Sequence, residues 1–269
     1  MKLHSLALAI GLLASAASAQ AAVIAMDDFD YPSGELNGRS GGSGWAGSWT
    51  AVTGVTEIVD PAVDLVDDRA LLVTGNDNNA ASRGLASTFS GSQLFVDFHV
   101  QIAGGSLTAN DFLSLWLDTG AAGDHAGRPN IGLKADQGGG GSNDVFVRTN
   151  GTAGSFVPGS NVGGVPGVTY HVVGLLSKTA GNYDRFEVWL DPLITDFGAA
   201  DAVFSGDAGI AQISTIGFRS ANLDTGDGVL VDALRLSTRW NDALSVPEPG
   251  SLALLGVGLL GMLRLRRKA

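Results

Sequence analysis

The chain has 269 residues, 39 of them glycine and none of them cysteine; 16% of the residues are charged, and the pI is near 4.6. This composition excludes a disulfide scaffold, a disordered polyelectrolyte and any thiol chemistry. Residues 23–245 carry 11 Lys and Arg side chains against 26 Asp and Glu, a formal charge of −15. Such a charge argues against binding nucleic acid by neutralising its phosphates.

The N-terminus has the three parts of a secretory signal peptide in the correct order. A basic start at Lys2 precedes an apolar run over residues 6–14, and small residues follow at 17–22. Two A-x-A cleavage sites overlap there, so we expect the mature chain to begin within residues 20–23. We therefore assign residues 1–22 to a signal peptide, in preference to a buried N-terminal helix.

The middle of the chain alternates apolar and polar residues with a period of two, as half-buried β-strands do. In the clearest segment, Gln93–Ile102, the apolar residues lie on one face, while Asp97 and His99 lie on the other. Six further segments have the same pattern: Phe112–Asp118, Asp144–Thr149, Val168–Leu176, Tyr183–Leu190, Ile213–Phe218 and Val229–Leu236.

Clusters of glycine, Asn and Asp separate these segments, at residues 75–80, 138–144, 150–154 and 224–228. Glycine and Asx residues accept positive φ, so we expect turns at these positions. No long amphipathic helix is present. Many short strands joined by glycine-rich turns predict an all-β, antiparallel β-sandwich, and we assign residues 23–243 to one such domain.

Residues 244–269 have a different character. Pro247, Glu248 and Pro249 form a motif whose two prolines keep the peptide extended and accessible. An uncharged, leucine-rich run follows over residues 251–263, which predicts a transmembrane helix. Four cations end the chain and should remain cytoplasmic under the positive-inside rule: Arg264, Arg266, Arg267 and Lys268.

The apolar run is short for a membrane span. Its 13 residues form about 20 Å of helix, whereas the hydrocarbon core of a bilayer is about 30 Å thick. Snorkelling arginines and local thinning of the bilayer recover part of this difference. We expect a weak, temporary anchor. The alternative is a buried C-terminal helix, but that helix would have no polar face and would end in a cluster of cations.

The Pro247-Glu248-Pro249 motif, the short Leu/Gly helix and the basic end together resemble the PEP-CTERM sorting signal of Gram-negative bacteria. This resemblance implies export, processing by an exosortase-type membrane enzyme, and association with the cell surface or with an exopolysaccharide or biofilm matrix. The residues themselves predict only an anchor and an accessible motif.

The middle domain also resembles the concanavalin A-like or LamG-like jelly rolls found ahead of this signal. The resemblance lies in an opening segment at residues 27–49 and a closing strand segment at 228–244. It implies a jelly-roll fold. That fold hosts lectins, glycosidases and structural modules, so it does not name a ligand.

No catalytic constellation can be drawn from the sequence. Glycoside hydrolysis normally needs two facing carboxylates, but Glu187 shares its strand face with Arg185 and Trp189, without a second acid two residues away. We expect Glu187 to be solvated and paired with Arg185. The alternative is a sugar-facing strand on which Trp189 stacks. The five tryptophans are interpreted first as packing residues and second as sugar platforms: Trp45, Trp49, Trp116, Trp189 and Trp240.

No metal ligand and no cofactor is assigned. The histidines at positions 99, 125 and 171 have no second histidine at metal-ligand spacing, so no zinc site is predicted. Calcium is the one cation worth weighing, because hard oxygen ligands are plentiful, although none has EF-hand spacing. These candidates are Asn76, Asp77, Asn78, Asn79, Asp118, Asp124, Asp224 and Asp227.

The sequence as a whole therefore predicts an exported, non-catalytic surface or matrix protein that is sorted by its C-terminal motif. Its expected partners are an exosortase-type enzyme, the bacterial membrane and a polysaccharide, but not nucleic acid. The alternative is a secreted glycan-active enzyme, a hydrolase or a lyase, on the same sandwich fold. A third hypothesis is a purely structural matrix component that binds no glycan.

Overall fold

A computed structural model describes residues 23–60, 69–123, 125, 127–137 and 142–244. The predicted signal peptide lies outside these residues, and so does the tail from residue 245 onward, with its sorting motif, its apolar run and its basic flank. Within the described residues no helix has the length and apolar character needed to cross a membrane.

The described residues form two antiparallel sheets that pack face to face. The larger sheet has nine strands in the order β14-β13-β12-β7-β16-β5-β4-β2, with β1 beside the end of β16. Its strands are β1 (Val23–Asp27), β2 (Gly34–Glu35), β4 (Thr56–Val59), β5 (Ala70–Val73), β7 (Gln93–Gly104), β12 (Thr169–Ser177), β13 (Arg185–Leu190), β14 (Ala202–Ser205) and β16 (Asp227–Ser237).

The smaller sheet has seven strands in the order β11-β10-β9-β8-β15-β6-β3. Its strands are β3 (Thr50–Ala51), β6 (Asp77–Phe89), β8 (Phe112–Asp118), β9 (Asn130–Gln137), β10 (Asn143–Arg148), β11 (Ser155–Phe156) and β15 (Ile213–Ala221). Two short helical segments complete the described chain, a 3₁₀ turn at Ile194–Asp196 and helix α1 at Trp240–Ala243.

These sheets confirm the predicted antiparallel sandwich, and all seven predicted segments are strands. The alternation on β7 also holds, because Leu94, Val96 and Val100 are fully buried in the core between the sheets. Three turn predictions are wrong in part, since β10 already begins at Asn143 and β16 at Asp227. The largest difference is at β6. Residues 77–80 were expected to lie in a turn but begin the 13-residue strand β6, because β15 supplies its pairing partner from far along the chain.

A buried carboxylate organises one end of the core. Asp27 accepts hydrogen bonds from the Tyr31 hydroxyl at 2.6 Å and from the Trp49 indole at 2.8 Å. It also forms an ion pair of 2.6 Å with Arg83, whose side chain is equally buried. Arg83 lies over the rings of Trp45 and Trp49 as well. The first described strand, in the larger sheet, is thereby joined to β6 near the edge of the smaller sheet.

The outer face of the nine-stranded sheet is partly covered. Helix α1 and the 3₁₀ turn pack against it, and the ring centroids of Trp240 of α1 and Trp189 of β13 lie 4.9 Å apart at this contact. Phe95 of β7 completes this second, smaller apolar cluster. The neighbouring part of the same face carries polar side chains, and it holds the candidate site.

Candidate functional site

Two histidines from neighbouring strands stack on the outer face of the nine-stranded sheet. His99 of β7 and His171 of β12 are paired directly in the strand register. Their rings are nearly parallel, 8° apart, with centroids separated by 4.4 Å. Because the outward positions of the two strands coincide here, the sheet itself fixes the pair.

A buried carboxyl lies beside the histidines. Asp97 occupies the next outward position on β7, and its Oδ1 lies 3.6 Å from Nε2 of His171. That distance is too long for a hydrogen bond. Burial is the main cause that raises the pKa of Asp97 well above its usual range, and the positive charge of Arg235 partly opposes this effect.

A β-bulge brings Arg235 to this face. The register between β16 and β7 pairs Asp232 with His99 but Arg235 with Asp97, so one extra residue is inserted in β16. The inserted turn contains Ala233, whose φ is +50° and whose amide donates to the Asp232 carboxylate at 2.6 Å. Bulges re-aim the side chains that follow them. Here Asp232 and Arg235 share the outer face with the histidines.

Burial lowers the pKa of each histidine to about 4. For His99 the neighbouring His171 is the next cause, since two adjacent imidazolium ions would repel each other. Asp191 acts in the opposite direction on both rings. At neutral pH the two imidazoles are therefore uncharged, and each ring can both donate and accept a hydrogen bond.

The polar face continues along the same two strands. Gln101 lies two residues beyond His99, and its Nε2 donates to Oγ1 of Thr169 at 2.9 Å. The Asp191 carboxylate accepts a hydrogen bond from the backbone amide of His171 at 2.7 Å, which fixes the edge of the site. Hydroxyl, amide, imidazole and carboxylate groups thus lie in one row, in which Asp97 and Gln101 are buried, and a buried aromatic cluster lies beside it. We call these side chains the His99–His171 site.

Sequence reasoning found part of this site. The alternation on β7 placed Asp97 and His99 on one polar face, but His171 was considered without a partner. The pairing of β7 with β12 joins residues 72 positions apart, which no local pattern shows. Within the described residues no group of three or more His, Asp or Glu side chains is arranged to hold a metal ion.

Several other residues singled out from the sequence have structural roles, whereas the calcium candidate Asp124 lies outside the described residues. Glu187 forms the expected ion pair with Arg185 at 3.0 Å. Trp49, Trp116 and Trp189 are fully buried, as packing residues are. Among the oxygen ligands weighed for calcium, the Asn76 side chain is bonded in both directions to the backbone of Leu223.

A second polar cluster lies on the smaller sheet. The Asp118 carboxylate contacts His125 at 3.1 Å and Arg128 at 3.0 Å, at the edge of a cavity of about 330 Å³. The His125 ring stacks on Trp116 with centroids 3.5 Å apart and is buried. Because both oxygens of Asp118 already accept hydrogen bonds, we interpret this cluster as a support for the loop that follows β8.

The fold is similar to several solved structures at low sequence identity. An alginate lyase in complex with alginate tetrasaccharide is 14% identical, with a TM-score of 0.48, over 82% of this chain and 98% of that chain. An endo-β-1,4-glucuronan lyase from the fungus Trichoderma reesei is 12% identical, with a TM-score of 0.46, over 74% and 93%. The exoplasmic domain of VIP36, in its calcium- and mannose-bound form, is 12% identical, with a TM-score of 0.43, over 65% and 80%.

No curated protein sequence matches the chain. A family model does match its C-terminus, and it covers residues 245–268, the segment that holds Pro247, Glu248 and Pro249. This match confirms the resemblance that the motif, the apolar run and the basic end suggested. The chain is thus an antiparallel β-sandwich followed by a PEP-CTERM protein-sorting motif.

Proposed function

We propose that this protein is exported, held briefly at the bacterial membrane by its tail, and processed at the sorting motif by an exosortase-type enzyme before it joins the cell surface or matrix. The observation that carries this proposal is the match of residues 245–268 to the PEP-CTERM motif. In the proposal, residues 1–22 direct export, residues 23–243 form the delivered domain, and residues 244–269 form the sorting signal.

Two sets of substitutions in the tail distinguish the role of the motif in processing from the role of the basic flank in membrane retention. Glu248→Ala leaves the apolar run and its basic flank intact, so the protein should still reach the membrane and remain there unprocessed. Neutral replacement of the basic flank should instead weaken membrane retention, because the apolar run is too short to be held securely by burial alone. The residues replaced are Arg264, Arg266, Arg267 and Lys268. Cell fractionation and the apparent mass of the protein report both effects, and normal processing of Glu248→Ala would contradict the motif assignment.

We further propose that the delivered domain binds polysaccharide at the His99–His171 site. The site presents two partly exposed imidazoles that are uncharged at neutral pH, with Thr169 in the same row, and sugar hydroxyls are recognised by such donors and acceptors. A buried aromatic cluster supports the strands beside it. The formal charge of −15 over residues 23–245 favours a neutral glycan over a polyanionic one.

A panel of neutral and acidic polysaccharides tests this binding. His171→Gln should weaken binding to the recognised polysaccharide, because the amide of glutamine cannot reproduce the positions of the two ring nitrogens. Glu187→Gln is a matched control, since Glu187 lies on the same face, where β13 pairs it with Leu175 of β12, four positions from His171. Equal binding by wild type and His171→Gln would place the glycan elsewhere. An absence of binding by the wild type would favour the purely structural hypothesis.

One observation favours a second candidate function, glycan cleavage. His171 stays neutral at pH 7 and can accept a proton, while the raised pKa of the neighbouring Asp97 carboxyl lets it donate one. Such a pair can act as general base and general acid. A lyase or hydrolase would release new chain ends from the bound polysaccharide. Product release that disappears in His171→Gln but remains in Glu187→Gln would establish the enzyme, whereas binding without product supports the non-catalytic protein.

A further inference from the structure

The structure leaves an apolar patch open on the loop between β13 and β14. Its side chains are Leu193, Ile194 and Phe197, which are 68%, 44% and 53% exposed. Among the described residues these are the three most exposed large hydrophobic side chains. We refer to them as the apolar patch. Scattered single hydrophobic residues are ordinary on a surface, but a contiguous group marks an interaction surface.

The patch is held in place from below. The buried indole of Trp240 donates to the carbonyl of Ile194 at 2.9 Å, and the indole of Trp189 donates to the carbonyl of Asp196 at 3.0 Å. The ring of Phe197 rests against Trp240 with centroids 5.5 Å apart. The loop therefore keeps its apolar side chains outward in a preset arrangement, so little conformational entropy is lost when they bind a partner.

The patch lies at the point where the chain leaves the sandwich. Trp240 is the first residue of α1, and the described chain ends four residues later at Leu244, whose amide bonds to the Trp240 carbonyl. Only residues 245–250 separate this point from the apolar run that begins at residue 251. Six extended residues span at most about 20 Å. A tail held in a bilayer would keep the end of α1 within that distance of the lipid surface, and Trp240 of α1 contacts the patch directly.

The tail alone would be a weak membrane anchor, so a second contact with the bilayer would strengthen retention. Its apolar run is about 10 Å shorter, as a helix, than the hydrocarbon core that it would have to cross. Aliphatic and aromatic side chains bind at the boundary between headgroups and acyl chains. The neighbouring carboxylates of Asp191 and Asp196 would be repelled by an anionic surface, so the contact must be apolar rather than electrostatic.

We propose that the apolar patch inserts into the bilayer surface while the tail is anchored, and that it orients the sandwich with α1 toward the membrane. The proposal rests on the anchoring described under the proposed function. It adds a second membrane contact, which lies within the folded domain and outside the sorting motif.

Site-specific fluorescence tests this proposal on residues 23–269, which keep the unprocessed tail. The sequence contains no cysteine, so a single cysteine at any position can carry a nitrobenzoxadiazole label. Ile194→Cys places the label in the patch. Val52→Cys is the matched control, because Val52 is also exposed, at 36%, and follows β3 on the other sheet. The labelled chains are reconstituted into phosphatidylcholine vesicles with and without nitroxide-labelled lipid.

We expect a blue shift and nitroxide quenching at position 194 but neither at position 52. Leu193→Asp, at the most exposed position of the patch, should lower the vesicle-bound fraction roughly fivefold, while Val52→Asp should leave it unchanged. Vesicle flotation of the same samples reports whether the tail anchors the chain.

Each other outcome overturns the proposal. A chain that floats with vesicles but shows no change at position 194 retains its anchor and refutes the patch contact. A blue shift that is already present without vesicles would mean that the chain's own tail or a second copy covers the patch. A chain that does not float refutes the anchoring itself, and with it the tethering on which the contact depends.

Discussion

Acid should destabilise the folded domain through His99 and His171. The pKa of each folded imidazole is about 4, below the ordinary value of 6.5, so between these values the unfolded chain binds more protons than the folded one. The free energy of unfolding therefore falls as the pH drops through 6.5, and the loss is complete below about pH 4. The physical cause is the removal of both rings from water at the surface of the sheet.

The size of this effect follows from the two pKa values. At 1.36 kcal/mol for each pKa unit, the full difference is about 3 kcal/mol per imidazole, of which about 2 kcal/mol applies at pH 5. Solvent screens both rings, since the His171 side chain is still 19% exposed. We therefore expect about 1 kcal/mol per ring, or roughly 2 kcal/mol for the pair, between pH 7.5 and pH 5.

Urea denaturation of residues 23–244 at pH 7.5, 6 and 5 measures the effect. The raised pKa of Asp97 acts in the opposite direction, because the folded state then binds the extra proton and gains stability as the pH falls. The comparison is therefore made with the double variant His99→Gln/His171→Gln, which keeps Asp97. Wild type should lose about 2 kcal/mol more than this variant at pH 5. Parallel pH profiles for the two proteins would refute the reasoning.

Three further predictions concern the sandwich. Arg83→Met should cost about 3–5 kcal/mol of unfolding free energy in urea, because it leaves the Asp27 carboxylate buried without its partner; a cost below about 1 kcal/mol would contradict this. Gly217→Ala should lower the melting temperature, because the added Cβ would lie 2.3 Å from the Trp116 ring. The control is Gly47→Ala, whose Cβ meets no atom within 4 Å. Similar melting temperatures for the two variants would show that the sheet adjusts and would contradict this prediction. Residues 23–244 should melt cooperatively with a β-type circular dichroism spectrum, and substantial helix would count against the predicted domain boundaries.

The sandwich and the sorting signal could be predicted because their signals are local. Alternation over Gln93–Ile102 requires one buried face, whichever strands become its neighbours. The order of motif, apolar run and basic end in residues 245–268 is likewise contained in one short stretch. Strand β6 was not predicted, because its signal is not local. Its residues 77–89 are mostly small and polar, and their strand conformation depends on pairing with β15 and β3.

The candidate site and the apolar patch could not be predicted from the sequence, because tertiary packing creates both. His99 and His171 are each unremarkable polar-face residues until β12 pairs with β7 in one particular register. A shift of that register by one residue would turn either side chain to the opposite face, so only the packed core decides it. Leu193 and Phe197 likewise look like ordinary core residues in the sequence. They stay outside because Trp189 and Trp240 already fill the space beneath them and hold their backbone by hydrogen bonds.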